Sequence, residues 1–195
     1  HNPHLLEMPM NPSSRFPWLA LSAITAAAVL AGCATYGAAA PGPQARLEAR
    51  SGSQVAGTVG FSAKGDKVVV EAHISGLTPG RQHGFHVHEA GDCSAPDATS
   101  AKGHFNPTGQ PHGNPGAHAH HGAAARHAGD LPNLVADASG QAHYRAEVTG
   151  LTLDAGAAGI LGRAVVVHAD PDDYQSQPAG NSGRRVACGV IAAAR

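Results

Sequence analysis

From Val68 to Ser75 the chain alternates: Val68, Val70, Ala72 and Ile74 are interleaved with Val69, Glu71, His73 and Ser75. A period of two is that of a strand with one buried face. The turn residues Gly76-Leu77-Thr78-Pro79-Gly80 follow directly. Similar short runs at 55–61, 83–89, 141–148, 160–168 and 186–192 predict further strands. The segments between them are rich in Gly and Pro, and 91–134 shows no helical period. The pattern predicts an all-β sandwich or barrel. So long an irregular stretch belongs in a compact domain only if it is functional and fastened down.

Composition agrees with this reading and adds one anomaly. With 25 Gly, 14 Pro and 4% aromatic residues in 195, the chain is poor material for a helical bundle. A formal net charge of -1 and a pI near 7.0 leave no basic field for nucleic acid. The anomaly is 14 His. Histidine is the commonest metal ligand, so a metal protein leads.

The N-terminal part reads as an address. Residues before Met8 or Met10 read as upstream of the natural start; Arg15 then precedes an apolar run, Phe16 to Ala31, short of the ~20 residues of a membrane span. Leu30-Ala31-Gly32-Cys33 resembles a bacterial lipobox, which implies removal of 1–32 and lipidation of Cys33; an ordinary signal peptide cleaved nearby is the alternative. Residues 33–43 then form a lipidated Cys and flexible tether, and 44–195 the folded domain. Ala34 after the cysteine points to the outer membrane of a bacterial envelope, on the periplasmic side, with a soluble periplasmic protein as the other reading. With Cys33 consumed, Cys93 and Cys188 remain as a pair suited to an oxidising compartment. Trp18, Met8 and Met10 fall in the removed segment, so a mature domain would contain neither Trp nor Met.

The predicted strands carry candidate ligands. In Gly84-Phe85-His86-Val87-His88-Glu89 the two histidines share one strand face. His104, His112, His127 and Asp130 lie in or beside the long irregular stretch, and Val165-Val166-Val167-His168 ends an apolar strand on a histidine. Six imidazoles and a carboxylate can fill two sites, imidazole suiting copper and zinc alike.

Taken in order, five motifs resemble the Cu,Zn superoxide dismutases, specifically their exported bacterial branch. They are G-F-H-V-H-E at 84–89, G-H-F-N-P at 103–107, R-H-A-G-D-L at 126–131, V-V-V-H-A-D-P-D-D at 165–173 and G-N-S-G-R-R-V-A-C-G-V-I at 180–191. The resemblance implies an eight-stranded Greek-key β-barrel or sandwich with long metal-binding loops. It implies copper on His86, His88, His104 and His168, and zinc on His104, His112, His127 and Asp130. His104 would be the shared imidazolate, releasing copper and taking a proton as copper is reduced. Asp172 would join the two sites through His86 and His112, Arg185 would dock the superoxide anion, and His83 would bond backbone near the site. Cys93 and Cys188 match the family's disulfide. The implied reaction converts superoxide to dioxygen and hydrogen peroxide, protecting the cell envelope. Monomer and homodimer both remain open.

Three groups stand apart. His118, His120 and His121 lie in an insertion and read either as a metal-recruiting patch or as exposed loop imidazoles. His73 and His143 read as exposed strand residues with no assigned chemistry, and Lys102 and Arg184 as either field-shaping or simply solvated cations. A metal carrier on the same fold is the competing function, but it needs no bridging imidazole, no Arg185 and no Asp172.

Overall fold

The computed structural model describes residues 42–116 and 125–194; the leader, Cys33, most of the tether and His118, His120 and His121 lie outside the described residues. The chain forms β1 (Gln44–Ala49), β2 (Ala56–Lys64), β3 (Lys67–Ser75), β4 (Gln82–His83), β5 (Phe85–His88), β6 (Leu134–Val135), β7 (Ala142–Val148), β8 (Ala164–His168) and β9 (Arg185–Ala192). Seven of these build one antiparallel sheet in the order β5-β8-β9-β1-β2-β3-β7, and β4 pairs with β6. Only Gly84 separates β4 from β5, so 82–88 is one bent run, and counting it once gives eight strands among the described residues. Its first half pairs with β6 beside β7 and its second half with β8, which links the two ends of the curled sheet.

Alternation decides which side chains enter the interior. Val68, Val70, Ala72 and Ile74 of β3 are buried together with Val59, Phe61, Phe85, Val87, Val165, Val167 and Ile191. Besides β2 running on to Lys64, two larger differences from the predicted strands appear. β1 escaped the pattern because its inward residues are only Ala45 and Leu47, yet it pairs with both β2 and β9. The predicted strand at 160–168 begins only at Ala164, because Gly162 at φ +82° turns the chain and Arg163 N–H closes onto Ile160 C=O.

β8 is apolar on both faces for a reason that bears on the site. Val165 and Val167 face the barrel core, whereas Ala164 and Val166 pack with Ala98, Ala101 and the Cys93–Cys188 disulfide. The irregular loop that begins at 91 is thus stapled onto β8 and β9. The bridge closes a 95-residue separation, for which the chain-entropy argument gives about 4–5 kcal/mol. Cys93→Ser should lower the melting temperature of the loaded protein by roughly 10–20 °C; a shift of a degree or two in thermal unfolding would contradict this.

Candidate metal centre

β5 presents Phe85 and Val87 to the barrel core and His86 and His88 to its other side, and all four are fully buried. The covering chain is tied down by main-chain bonds. Phe105 N–H donates to Val87 C=O, Val87 N–H to Gly129 C=O, and Gly129 N–H to Phe105 C=O. A β-carbon at Gly129 would overlap the Val87 carbonyl. This three-way junction carries His104 and Asp130 in as neighbours of Phe105 and Gly129, opposite His88 and His86 respectively.

Two buried donor sets result. His86, His88, His104 and His168 form one, and His104, His112, His127 and Asp130 the other; within each, one donor atom per residue lies within 4.8 Å of the rest. His104 belongs to both. The rings of His86 and His104 stack at 3.9 Å. Asp130 lies 2.8 Å from His104 Nδ1, 3.0 Å from His112 Nδ1 and 3.4 Å from His127 Nδ1.

Hydrogen bonds on the far side of each ring fix which nitrogen faces inward. His88 Nδ1 donates to Lys102 C=O at 2.9 Å and His168 Nδ1 to Gly183 C=O at 3.2 Å. A carbonyl only accepts, so each Nε2 keeps its lone pair; these two Nε2 atoms are 3.4 Å apart. Asp172 does the same for a ligand of each set, accepting from His86 Nε2 at 2.8 Å and from His112 Nε2 at 2.9 Å. Asp172 is itself clasped by Asn133, whose amide accepts from Asp172 N–H and donates to Asp172 C=O, both at 2.9 Å. Gln177 clasps the His112 backbone from both sides at 2.9 Å. A β-carbon at Gly180, where φ is +65°, would overlap Asp172 Oδ1. His83 Nδ1 donates to His168 C=O at 2.9 Å.

The electrostatics suit a cation. Burial lowers the pKa of His86 to about 4 and holds His88 and His168 well below the ordinary histidine value, with neighbouring imidazoles adding to the effect in both. Burial also lowers His104. For His112, burial is outweighed by the adjacent carboxylates of Asp130 and Asp172, which raise it to about 9. Both carboxyls are held below their usual range, as their histidine partners overcome burial. His86 Nδ1, His104 Nε2, His112 Nδ1 and His127 Nδ1 are buried with no hydrogen-bond partner among the described residues. Buried lone pairs without partners are costly, and metal ions satisfy them. An all-imidazole set and a His3Asp set fit copper and four-coordinate zinc respectively.

The cleft above this centre is lined by His104, His127, His168, Lys102, Asn106 and Arg185. Arg185 donates through Nη1 to Ala98 C=O at 2.7 Å and through Nη2 to Lys102 C=O at 2.6 Å. Ala98 and Lys102 flank the single 3-10 turn Thr99–Ala101, and both have positive φ, 58° and 62°. The strained backbone at these two residues aims two carbonyls at one guanidinium, the second of which also orients His88. Lys102 therefore acts through its main chain, a contribution its side chain could not advertise. Arg184 contacts Ser51 C=O at 3.3 Å instead. Sequence reasoning gave no role to Arg126 of the R-H-A-G-D-L motif, whose guanidinium donates to the carbonyls of His127 and Thr149, both at 2.8 Å. It missed Asn133 and Gln177, which only spatial contact distinguishes from other polar loop residues.

A curled antiparallel β-barrel with two buried, mainly histidine donor sets that have His104 in common defines a two-metal oxidoreductase scaffold. The copper/zinc superoxide dismutase (SODC) family model matches residues 55–191. The chain is 46% identical over 147 residues to the Cu-Zn superoxide dismutase of Paramecium bursaria Chlorella virus 1, covering 72% of this chain and 74% of that one. It is 40% identical over 172 residues to that of Deinococcus radiodurans, covering 84% and 90%. Among solved structures, a SOD-like protein from Bacillus subtilis superposes with a TM-score of 0.67 at 33% identity, covering 78% of this chain and 99% of that one. This chain belongs to the copper/zinc superoxide dismutase family, and is an oxidoreductase whose metals are copper and zinc.

Proposed function

We propose that superoxide dismutation is carried out here with His86, His88, His104 and His168 holding copper, and with His104, His112, His127 and Asp130 holding zinc. The observation that carries this reading is the sharing of His104 by two otherwise separate buried donor sets. Copper, when bound, supplies the one-electron couple; two superoxide anions and two protons give one dioxygen and one hydrogen peroxide.

The chain's own residues supply the rest. Arg185 offers a fixed positive charge at the cleft, and its remaining N–H donors suit a small anion. His104 Nε2, buried and without a protein partner among the described residues, is placed to hold a proton and pass it to the peroxide product. Asp130, 2.8 Å from His104 Nδ1, would share the zinc site with that nitrogen, which would keep the ring oriented during the transfer. Arg185→Gln should lower the superoxide-decay rate of the copper- and zinc-loaded protein on the order of tenfold and flatten its salt dependence. Loaded wild-type protein that decays superoxide no faster than its metal-free form would overturn the whole reading.

The site of action is the bacterial cell envelope, with the mature chain starting at a lipidated Cys33, a tether to residue 43 and the enzyme domain at 44–195. Supporting this are the apolar leader, the Leu30–Cys33 junction and a Cys93–Cys188 bridge of the kind that persists in oxidising compartments. Mass spectrometry of the N-terminal peptide from membrane fractions should find acyl chains on Cys33. An unmodified N-terminus elsewhere would sink the anchor.

A further inference from the structure

The outer face of the sheet holds a second group of imidazoles that the catalytic centre does not use. His73 on β3 and His143 on β7 are Cα partners within an unbroken ladder running from Val68↔Val148 to Ile74↔Ala142. Both side chains are exposed, on the face opposite the buried Val70, Ala72 and Ile74. Their Nδ1 atoms meet at 2.8 Å and their rings stand edge to face at 4.9 Å.

Such a contact needs one Nδ1 to donate and the other to accept, so a single proton joins two nitrogens that are both good metal ligands. A divalent cation can take the place of that proton. With metal–nitrogen bonds of about 2.0–2.1 Å, nitrogens 2.8 Å apart subtend about 85–90° at the ion. That is the angle between adjacent positions of a tetragonal site, the preference of Cu(II) and Ni(II). A tetrahedral ion asks for about 109° and a wider separation, about 3.3 Å with the same bonds.

Two carboxylates near the pair are engaged by other partners. Glu71, two residues along the same face, is engaged by Arg145 at 3.0 Å. Asp137 Oδ1, on the loop leading into β7, is taken up by the N–H groups of Ser139 and Gln141 and the hydroxyl of Ser139. The two imidazoles are held by paired strands on a three-strand platform, since β3 also pairs along its length with β2. Ligands fixed on regular strands lose little freedom on binding.

We propose that His73 and His143 form a surface site for a tetragonal divalent transition ion, Cu(II) ahead of Ni(II) and Zn(II). The test starts from protein loaded with copper and zinc, in a His118→Asn, His120→Asn, His121→Asn background that removes the loop imidazoles. Cu(II) is titrated in and followed by calorimetry and electron paramagnetic resonance. One further Cu(II) should bind, with hyperfine splitting from two nitrogens, and excess Zn(II) should not displace it. His73→Gln and His143→Gln, each made separately, should weaken this event on the order of a hundredfold, the advantage of closing a two-ligand chelate. Superoxide decay should stay unchanged in both, which checks that the fold is intact. No additional Cu(II) in the background protein, or undiminished binding in either single variant, would overturn the site.

Discussion

Alanine at position 104 should reduce superoxide decay to the level of the metal-free protein and lower the retention of both metals. His104 belongs to both donor sets, so one substitution removes a ligand from each and leaves Asp130 Oδ1 without its 2.8 Å partner. His168→Ala is the informative comparison. His168 contributes to one set only, with Nε2 3.4 Å from His88 Nε2; its loss should release copper while zinc stays bound by His104, His112, His127 and Asp130. Metal content by mass spectrometry after dialysis separates the two cases. Equal zinc loss in both variants would mean that the two sets are not joined through His104 alone.

Asp172→Ala should be nearly as damaging, although position 172 touches neither ion in the proposed assignment. Its carboxylate accepts from His86 Nε2 and His112 Nε2, one ligand from each set, and both rings are buried. Without it two buried N–H groups lose their acceptors, at about 1–3 kcal/mol each. Ring orientation then relaxes, for which a loss of about 10–100-fold in affinity or activity is typical. Because one residue serves both rings, copper and zinc should weaken together, measured by competition with chelators. Asp172→Asn should fall between, since an amide offers one accepting oxygen to two donating rings. Unchanged affinity for both metals in the alanine variant would remove Asp172 from the joint.

How far these features could be read beforehand depended on distance along the chain. His86 and His88 are legible because a strand puts alternate residues on one face, a rule that needs two positions and no tertiary information. β3 and β7 were legible for the same reason. His104, His112, His127 and Asp130 could be assigned to one site only through a family resemblance, because no local period links loop residues. Asn133 and Gln177 were not legible at all. Each acts by hydrogen bonds to a backbone distant in sequence, as between Gln177 and His112.

The pair His73 and His143 marks the boundary most sharply. Alternation correctly predicts that each stands on an exposed strand face, and stops there. That they meet is decided by the antiparallel register of β3 with β7, which aligns 73 with 143, and a slip of one residue would part them. The sequence alone determined an all-β chain with metal-ligating histidines, since strand periodicity and donor chemistry are properties of residues and their near neighbours. Tertiary structure alone decided which nitrogens converge and which tautomers carbonyls and carboxylates impose. Those depend on strand register and loop fastening, which are set by packing across the whole barrel.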